Sequence, residues 1–382
     1  TLFLPFKKKS PMRFKVSSSD LYKKLQVGLG AIDSNPVQPI LEDFLFVLKG
    51  NTLTTTSSNL DTTIRVETEV QGETDGEIAL PAKLLLEILK ALPDQPLNFE
   101  IDEENNWLEV TSAFGKYRMA GDDPIDFPAL PEIEQEHTLT INSKILSKAI
   151  GYTIIGTSDD ELKPGLTGVL CLIDFNKLTF VGTDAHKLVK YTYPGIDVDY
   201  TKSFLTPKKS LHLIKNVLHG DFDVRIYFND KMVFFEFENT LFISKLLNDP
   251  FPNYNAFIPV DNPNTLYIDK KDLLNSLKRI SIFASKSTNQ VTFNLDESSL
   301  TISSQDLDFS NEATEQLPCT YEGEPVTIGF NSKFFMEVLS IMYPGNIRME
   351  LLDYTKPCII LPEEQEEGEH LLLLIMPVVM GY

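Results

Sequence analysis

MRFKVSSSDLYKKLQ (12–26), HTLTINSKILSKAI (137–150) and NTLYIDKKDLLNSLK (264–278) open in one way. Each begins with an alternating strand. A polar residue suited to cap a helix follows, and then apolar residues at helical spacing. Self-similarity at this scale marks a repeated structural unit. After each opening come two strand-like runs: 40–48 with 52–57, 166–173 with 177–182, and 290–295 with 299–303. Hairpin signals separate them, KGN (49–51), DFN (174–176) and DES (296–298). A second strand–helix unit follows in each copy: GEIALPAKLLLEILKALP (76–93), KSFLTPKKSLHLIKNVLHG (202–220) and PVTIGFNSKFFMEVLSIMYPG (325–345). Pro or Asn stands near each helix start, and Pro or Gly stops it. Further strands close each copy, at 97–101 with 107–112, 224–228 with 232–237, and 347–352 with 358–361.

The expected fold is therefore α+β, with three domains of two strand–helix–strands half-units each, over 12–132, 133–261 and 262–382. The joining segments DDPIDFPALPEIEQE (122–136) and NDPFPNYNAFIPVDNP (248–263) share a DP…FP signature. Residues 1–11, TLFLPFKKKSP, run apolar then basic, the reverse of a signal peptide. They read as an added extension, expected to be disordered, with Met12 as a natural start that opens a strand. The last domain ends in an apolar tail, 371–380, expected to be a buried strand.

The composition is globular, with 42% apolar and 23% charged residues, and no run is long and apolar enough for a membrane helix. Cys171, Cys319 and Cys358 are scattered without metal spacing, which suits a reduced intracellular compartment and a cytoplasmic protein. The net charge of −21 argues, as a total, against nucleic acid. The distribution argues the opposite. Six helical windows (18–32, 82–92, 143–155, 207–218, 270–286 and 332–342) hold 15 of the 34 Lys and Arg but only four of the 55 acids. Helices ordinarily favour Glu as much as Lys. A cationic helix layer inside an acidic protein therefore suggests a surface that faces nucleic acid. Its candidates are Lys23, Lys24, Lys83, Lys90, Lys144, Lys148, Lys208, Lys209, Lys215, Lys278, Arg279 and Lys333. Lys dominates over Arg, Asn and Gln, which favours phosphate contact without sequence readout. Aromatic residues for stacking single strands are scarce, so double-stranded DNA is the expected ligand.

The chain resembles the β sliding clamps of the bacterial replicative DNA polymerase, DNA polymerase III, over residues 12 to about 380. QPILEDFLF (38–46), TDAHKL (183–188), SKLLNDPFPNY (244–254), GFNSKF (329–334) and MPV (376–378) carry the resemblance, in this order and on the threefold repeat. It implies a non-enzymatic processivity factor, a head-to-tail homodimer closed as a ring, with helices lining a central hole and sheets outside. The dimer contact it implies uses Tyr117 and Met119 on the first domain and Ile282 and Phe283 on the third. A closed ring also escapes the salt penalty of open binders, roughly 10³ to 10⁵ in affinity for 6–10 phosphate contacts between 50 and 200 mM.

The resemblance further implies a pocket for short peptide motifs of DNA polymerase subunits, the clamp loader and repair proteins. By motif position it comprises Leu166, Thr183, Ala185, His186, Lys187, Leu188, Pro252, Phe257, Thr355, Leu374, Ile375, Met376, Pro377, Val378, Val379 and Met380. Such an aliphatic, Met-containing lining adapts to many partners. Single motifs should bind it at about micromolar strength, about −8 kcal/mol. The chain departs from the family's pattern at Ala185 (usually Gly), at Lys187, Ala256 and Asn35 (usually Arg), in a 162–166 loop without tyrosines, and in its MGY ending.

No catalytic chemistry is legible. TDAH (183–186) has an Asp–His pair but no accompanying nucleophile motif, and EEQEEGEH (363–370) lacks the spacing of a zinc site and reads as a solvated hairpin loop. No phosphate-binding glycine motif is present, so no cofactor is expected. A metal-dependent hydrolase or nuclease would leave the threefold repeat without a reason. A scaffold binding only proteins would be indifferent to charge reversal of the helix lysines.

Overall fold

The structure is a computed structural model that describes residues 10–130 and 137–378. The extension expected over 1–11 and the pocket candidates Val379 and Met380 fall wholly or mostly outside the described residues. The chain forms two compact units, Thr1–Ser143 with Asn216–Lys245, and Lys144–Lys215 with Leu246–Tyr382.

In the first unit a five-stranded sheet runs in the order Gln71–Thr74, Met12–Ser17, Pro96–Asp102, Trp107–Thr111, Lys116–Ala120. An eight-stranded sheet runs His137–Asn142, Asp223–Phe228, Met232–Phe237, Thr240–Lys245, Thr62–Glu69, Thr52–Ser58, Asp43–Lys49, Gly76–Pro81. The alternation of MRFKVS sends Met12, Phe14 and Val16 inward and leaves Arg13 and Lys15 exposed. Helices α1 (Ser18–Gly28) and α2 (Ala82–Ala91) cover this core with Leu21, Leu25, Leu85 and Leu89, all nearly fully buried. Each such side chain contributes about 1.5–3 kcal/mol by leaving water. Phe14 and Phe99 stack beneath them at 4.6 Å. The Ser17 hydroxyl caps α1 by accepting the Asp20 N–H.

The second unit holds a nine-stranded sheet: Lys202–Pro207, Gly168–Asp174, Lys177–Thr183, Lys187–Tyr193, His370–Ile375, Cys358–Pro362, Asn346–Leu351, Asn264–Asp269, Thr320–Glu322. A four-stranded sheet runs Asn311–Pro318, Ser299–Asp306, Gln290–Asp296, Val326–Asn331. Its helices are α3 (Ser143–Thr153, all but the first residue), α4 (Lys208–Lys215), α5 (Lys270–Ile280) and α6 (Ser332–Ile341). Phe293, Phe330 and Phe335 pack with ring centroids 5.0–5.2 Å apart.

The repeat is written in hydrogen bonds as well as in element order. The first residue of α1, α3 and α5 donates its N–H to a carbonyl just past the second helix of its copy: Ser18 to Gln95 (2.9 Å), Ser143 to Phe222 (2.8 Å) and Lys270 to Gly345 (3.1 Å). In two copies the serine hydroxyl adds a bond to the same segment, Ser18 to the Pro93 carbonyl and Ser143 to the Gly220 carbonyl. In the third, the Lys270 ammonium donates instead to the Met342 carbonyl at 2.6 Å.

Three local expectations needed revision. The strand expected from Ile40 begins at Asp43, because Pro39–Glu42 forms a 3₁₀ turn that buries Ile40 and Leu41 against Ala79 and Phe127. Pro39, at the first turn position, has no N–H to lend a sheet ladder. Three helical windows end early, with 3₁₀ turns over Leu29–Ala31, Ile154–Gly156 and Ser281–Phe283. A further strand, Thr62–Glu69, joins the first copy's hairpin and buries Ile64 and Val66.

Asp43 is 4% exposed. Its neighbour Asp122 exchanges two backbone hydrogen bonds with Ala79. Burial, a hydrogen bond shared with Asp122, and repulsion from Asp122 and Glu42 push the Asp43 carboxyl up to about 7. Its unfolded value is about 3.9. A carboxyl raised on folding stabilises the fold while it holds its proton and loses that contribution as pH rises between the two values. Stability should therefore fall from about pH 4 to about pH 7. Asp43→Asn should flatten that fall, read as urea midpoints across the window; an unchanged pH profile would refute the assignment.

Candidate functional site

A cleft of about 570 Å³ opens in the second unit. Its floor is a small apolar cluster of Val181, Leu188, Tyr254 and Leu374, with Phe251, Leu372 and Met376 against it. The strands Lys187–Tyr193 and His370–Ile375 build that floor by pairing antiparallel, Leu188 opposite Leu374. Alternation puts Leu372, Leu374 and Met376 on the cleft side and leaves Ile375, fully buried, on the other face. The Met376 N–H then donates to the His186 carbonyl at 2.8 Å and anchors the chain as it leaves the sheet.

The turn before Lys187 is tightly bonded. The Thr183 hydroxyl donates to the Lys187 carbonyl (2.8 Å) and accepts the Ala185 N–H (3.2 Å). The Asp184 carboxylate accepts the N–H groups of His186 and Lys187 at 2.9 and 2.8 Å. Ala185 sits at φ +73°, a left-handed conformation that suits glycine, the usual residue of the resembled pattern. Lys187 is 5% exposed, and a charge so buried needs partners. Its ammonium meets Asp184 at 2.6 Å and Glu337 at 3.0 Å, and stands 4.6 Å from the Phe334 ring centre.

Nine expected pocket residues line the cleft: Leu166, Thr183, Ala185, Lys187, Leu188, Pro252, Phe257, Leu374 and Met376. Lys163, Pro164, Gly165, Asp249, Pro250, Phe251 and Tyr254 complete it and were not anticipated, although NDPFPNY carries four of them. Five expected residues stand outside its wall. His186 stacks on Phe334 with centroids 5.5 Å apart. Thr355 bonds Asp353 within its own turn. Ile375 points to the opposite face, Pro377 is half-buried beyond the strand, and Val378 bridges to Gly329.

The helix lysines divide into two groups. Lys23, Lys83, Lys90, Lys144, Lys215, Lys278 and Lys333 are exposed, and Lys24 is partly so. Four expected DNA-facing cations are instead engaged by carboxylates: Lys148 by Glu366 and Glu369, Lys208 by Asp159 (2.7 Å), Lys209 by Glu161 (3.7 Å), and Arg279 by Glu315 through two bonds of 2.7 and 2.6 Å. These acids lie far away in sequence or on loops, so no helical window reveals them. The 363–370 segment, expected as a solvated loop, is one such source.

Each of the four sheets ends in strands that, among the described residues, have a partner strand on one side only, and two of these edges contrast in charge. Lys116–Ala120 ends the five-stranded sheet of the first unit, and Asn311–Pro318 ends the four-stranded sheet of the second. The first carries Lys116 and Arg118; the second carries Glu312 and Glu315. Tyr117 is half-buried, and Met119, expected at a subunit contact, is 7% exposed and packs into the core. Its strand alternation turns the side chain inward. Ile282 and Phe283 are 76% and 41% exposed. Among the described residues no three His, Cys, Asp or Glu side chains are grouped to hold a metal, and no helix is long and apolar enough to cross a membrane.

Three family profiles match consecutive parts of the chain: the DNA polymerase III beta subunit N-terminal domain over 12–131, its central domain over 140–253 and its C-terminal domain over 255–378. The beta sliding clamp of Staphylococcus epidermidis is 27% identical over 376 residues, covering 95% of this chain and 99% of that protein. That of a Synechocystis strain is 29% identical, covering 96% and 99%. The crystal structure of the DNA polymerase sliding clamp from Bacillus subtilis superposes with a TM-score of 0.92 at 26% identity, covering 97% of this chain and all of that one. With these matches spanning the same strand–helix repeat from end to end, the chain belongs to the DNA polymerase III beta subunit family, the beta sliding clamps, which are non-catalytic processivity factors of DNA replication.

Proposed function

We propose that two copies of this chain, each of three clamp domains over 12–132, 133–261 and 262–382, close head to tail into a ring. That ring encircles duplex DNA in the cytoplasm and tethers the polymerase. The observation that carries the reading is that two edge strands of one chain bear opposite charge, Lys116 and Arg118 on one and Glu312 and Glu315 on the other, with Lys116 and Glu315 also held within the chain by Glu109 and Arg279. An unpaired edge is a template for another strand. Two different edges on one chain make a heterologous contact, which closes when the rotation allows. Exposed Ile282 and Phe283 stand beside that contact, and Tyr117 rather than the buried Met119 is its apolar member on the other side.

The exposed lysines of α1–α6 supply phosphate contact without register. The ring keeps its DNA by topology, so these contacts need only centre the duplex. The cleft beside Leu374 is the seat for short peptides of polymerase subunits, the clamp loader and repair proteins. Its walls are aliphatic and aromatic, and its one deeply buried charge, Lys187, is already paired. Recognition there rests on apolar anchors of about 1.5–3 kcal/mol each. Ordering costs on binding hold single motifs near micromolar strength.

Three outcomes test these assignments. Loaded clamp should remain on nicked circular DNA and be lost when that DNA is linearised; equal retention on both would sink the topological mechanism. Ile282→Glu should convert a dimer of about twice the 43.2 kDa chain mass into monomer in analytical ultracentrifugation; an unaltered dimer would remove Ile282 from the contact. Phe257→Ala should weaken a labelled Leu- and Phe-containing polymerase peptide about tenfold, the equivalent of about 1.4 kcal/mol. Phe257 is 55% exposed, so the fold should survive the change. Unchanged affinity would place the peptide elsewhere.

A further inference from the structure

The EEQEEGEH segment joins the strands Cys358–Pro362 and His370–Ile375, and it is built rather than loose. The Gln365 side-chain amide closes it by exchanging two hydrogen bonds of 2.9 Å with the Leu371 backbone. Gly368 takes a left-handed φ of +73° at its bend, and the Glu366 N–H donates to the Tyr343 hydroxyl. So held, the loop presents two carboxylates to one lysine. The Lys148 ammonium of α3 donates to Glu366 and to both oxygens of Glu369, the latter at 2.9 and 3.0 Å. Burial alone would lower the pKa of Lys148, but these two glutamates raise it above the ordinary lysine value. Glu363, Glu364 and Glu367 extend the same loop into solvent.

The loop thus offers an ammonium what a DNA backbone offers: several anionic oxygens, held in place, at hydrogen-bond distance. We infer that residues 363–370 act as an internal stand-in for the phosphate backbone, that they withdraw Lys148 from duplex DNA, and that Glu366 and Glu369 thereby set how strongly this chain grips DNA. The inference rests on the reading that the helix lysines face DNA. Its physical logic is that a clamp has to slip. A lysine taken out of phosphate contact removes one counterion-releasing contact, and with it one source of friction and of salt dependence. The exposed glutamates around it would repel the backbone and keep it from competing for Lys148.

Equilibrium binding of a labelled duplex to the full-length protein, titrated across salt, tests this. Glu366→Gln with Glu369→Gln should tighten binding at low salt. It should also steepen the dependence of log K on log salt by about 0.9, the slope of one added phosphate contact on B-DNA. Lys148→Met alone should leave the wild-type slope unchanged, and adding it to the double glutamine variant should cancel the gain. A gain that survives Lys148→Met would overturn the inference, since it would reflect net charge alone. So would an unchanged slope in the double variant while Lys215→Glu, an exposed helix lysine, weakens binding. If Lys215→Glu and Lys83→Glu also leave binding unchanged, the helix layer does not face DNA, and that underlying reading falls together with this one.

Discussion

In the second unit, the strand Lys187–Tyr193 belongs to the middle of the chain and His370–Ile375 to its end, yet they are neighbours in one sheet. Their antiparallel ladder brings segments about 180 residues apart in sequence into register, with Leu188 opposite Leu374 and Lys187 opposite Ile375. Much else depends on that pairing. It makes the cleft floor, it places the bonded turn at 183–187 beside the exit of the last strand, and it carries the acidic 363–370 loop to α3. A one-residue slip would invert every side chain of the last strand, burying Met376 and Leu374 on the wrong face and bringing Ile375 into the cleft.

The charges are organised at a second level. An acidic protein places exposed lysines on its helices, and then neutralises a subset of them through acids that arrive from other segments. Exposed cations remain on each of the six helices. That arrangement suits a ligand held by enclosure better than one held by affinity, because each contact is weak and screened. The edge strands Lys116–Ala120 and Asn311–Pro318 carry charge of one sign each, with Lys116 and Glu315 paired to Glu109 and Arg279.

Much of this was legible in the residues. Alternation at Met12–Ser17, the Ser17 cap and the Leu21/Leu25 spacing specify their strand and helix locally. The threefold recurrence of that pattern specifies the repeat. The cleft was legible only through family motifs, and then only for the residues those motifs name. Ile375 and Leu374 are adjacent in an apolar run, and nothing in LLLLIM states which of them faces the cleft. Met119 likewise reads as a contact residue until its neighbours are known.

The sequence by itself determined the α+β class, the repeated strand–helix unit and the sign of the helix faces, since each depends on periods of two and 3.6 residues within short windows. Only the tertiary structure decided which lysines stay exposed, which apolar residues line the cleft, and which strands, among the described residues, stand at a sheet edge. Those properties depend on partners distant in the chain: Glu366 and Glu369 for Lys148, Leu188 for Leu374, and the absence, among the described residues, of any strand beyond Lys116–Ala120. Local periodicity encodes which face a residue takes; register and long-range pairing decide what that face meets.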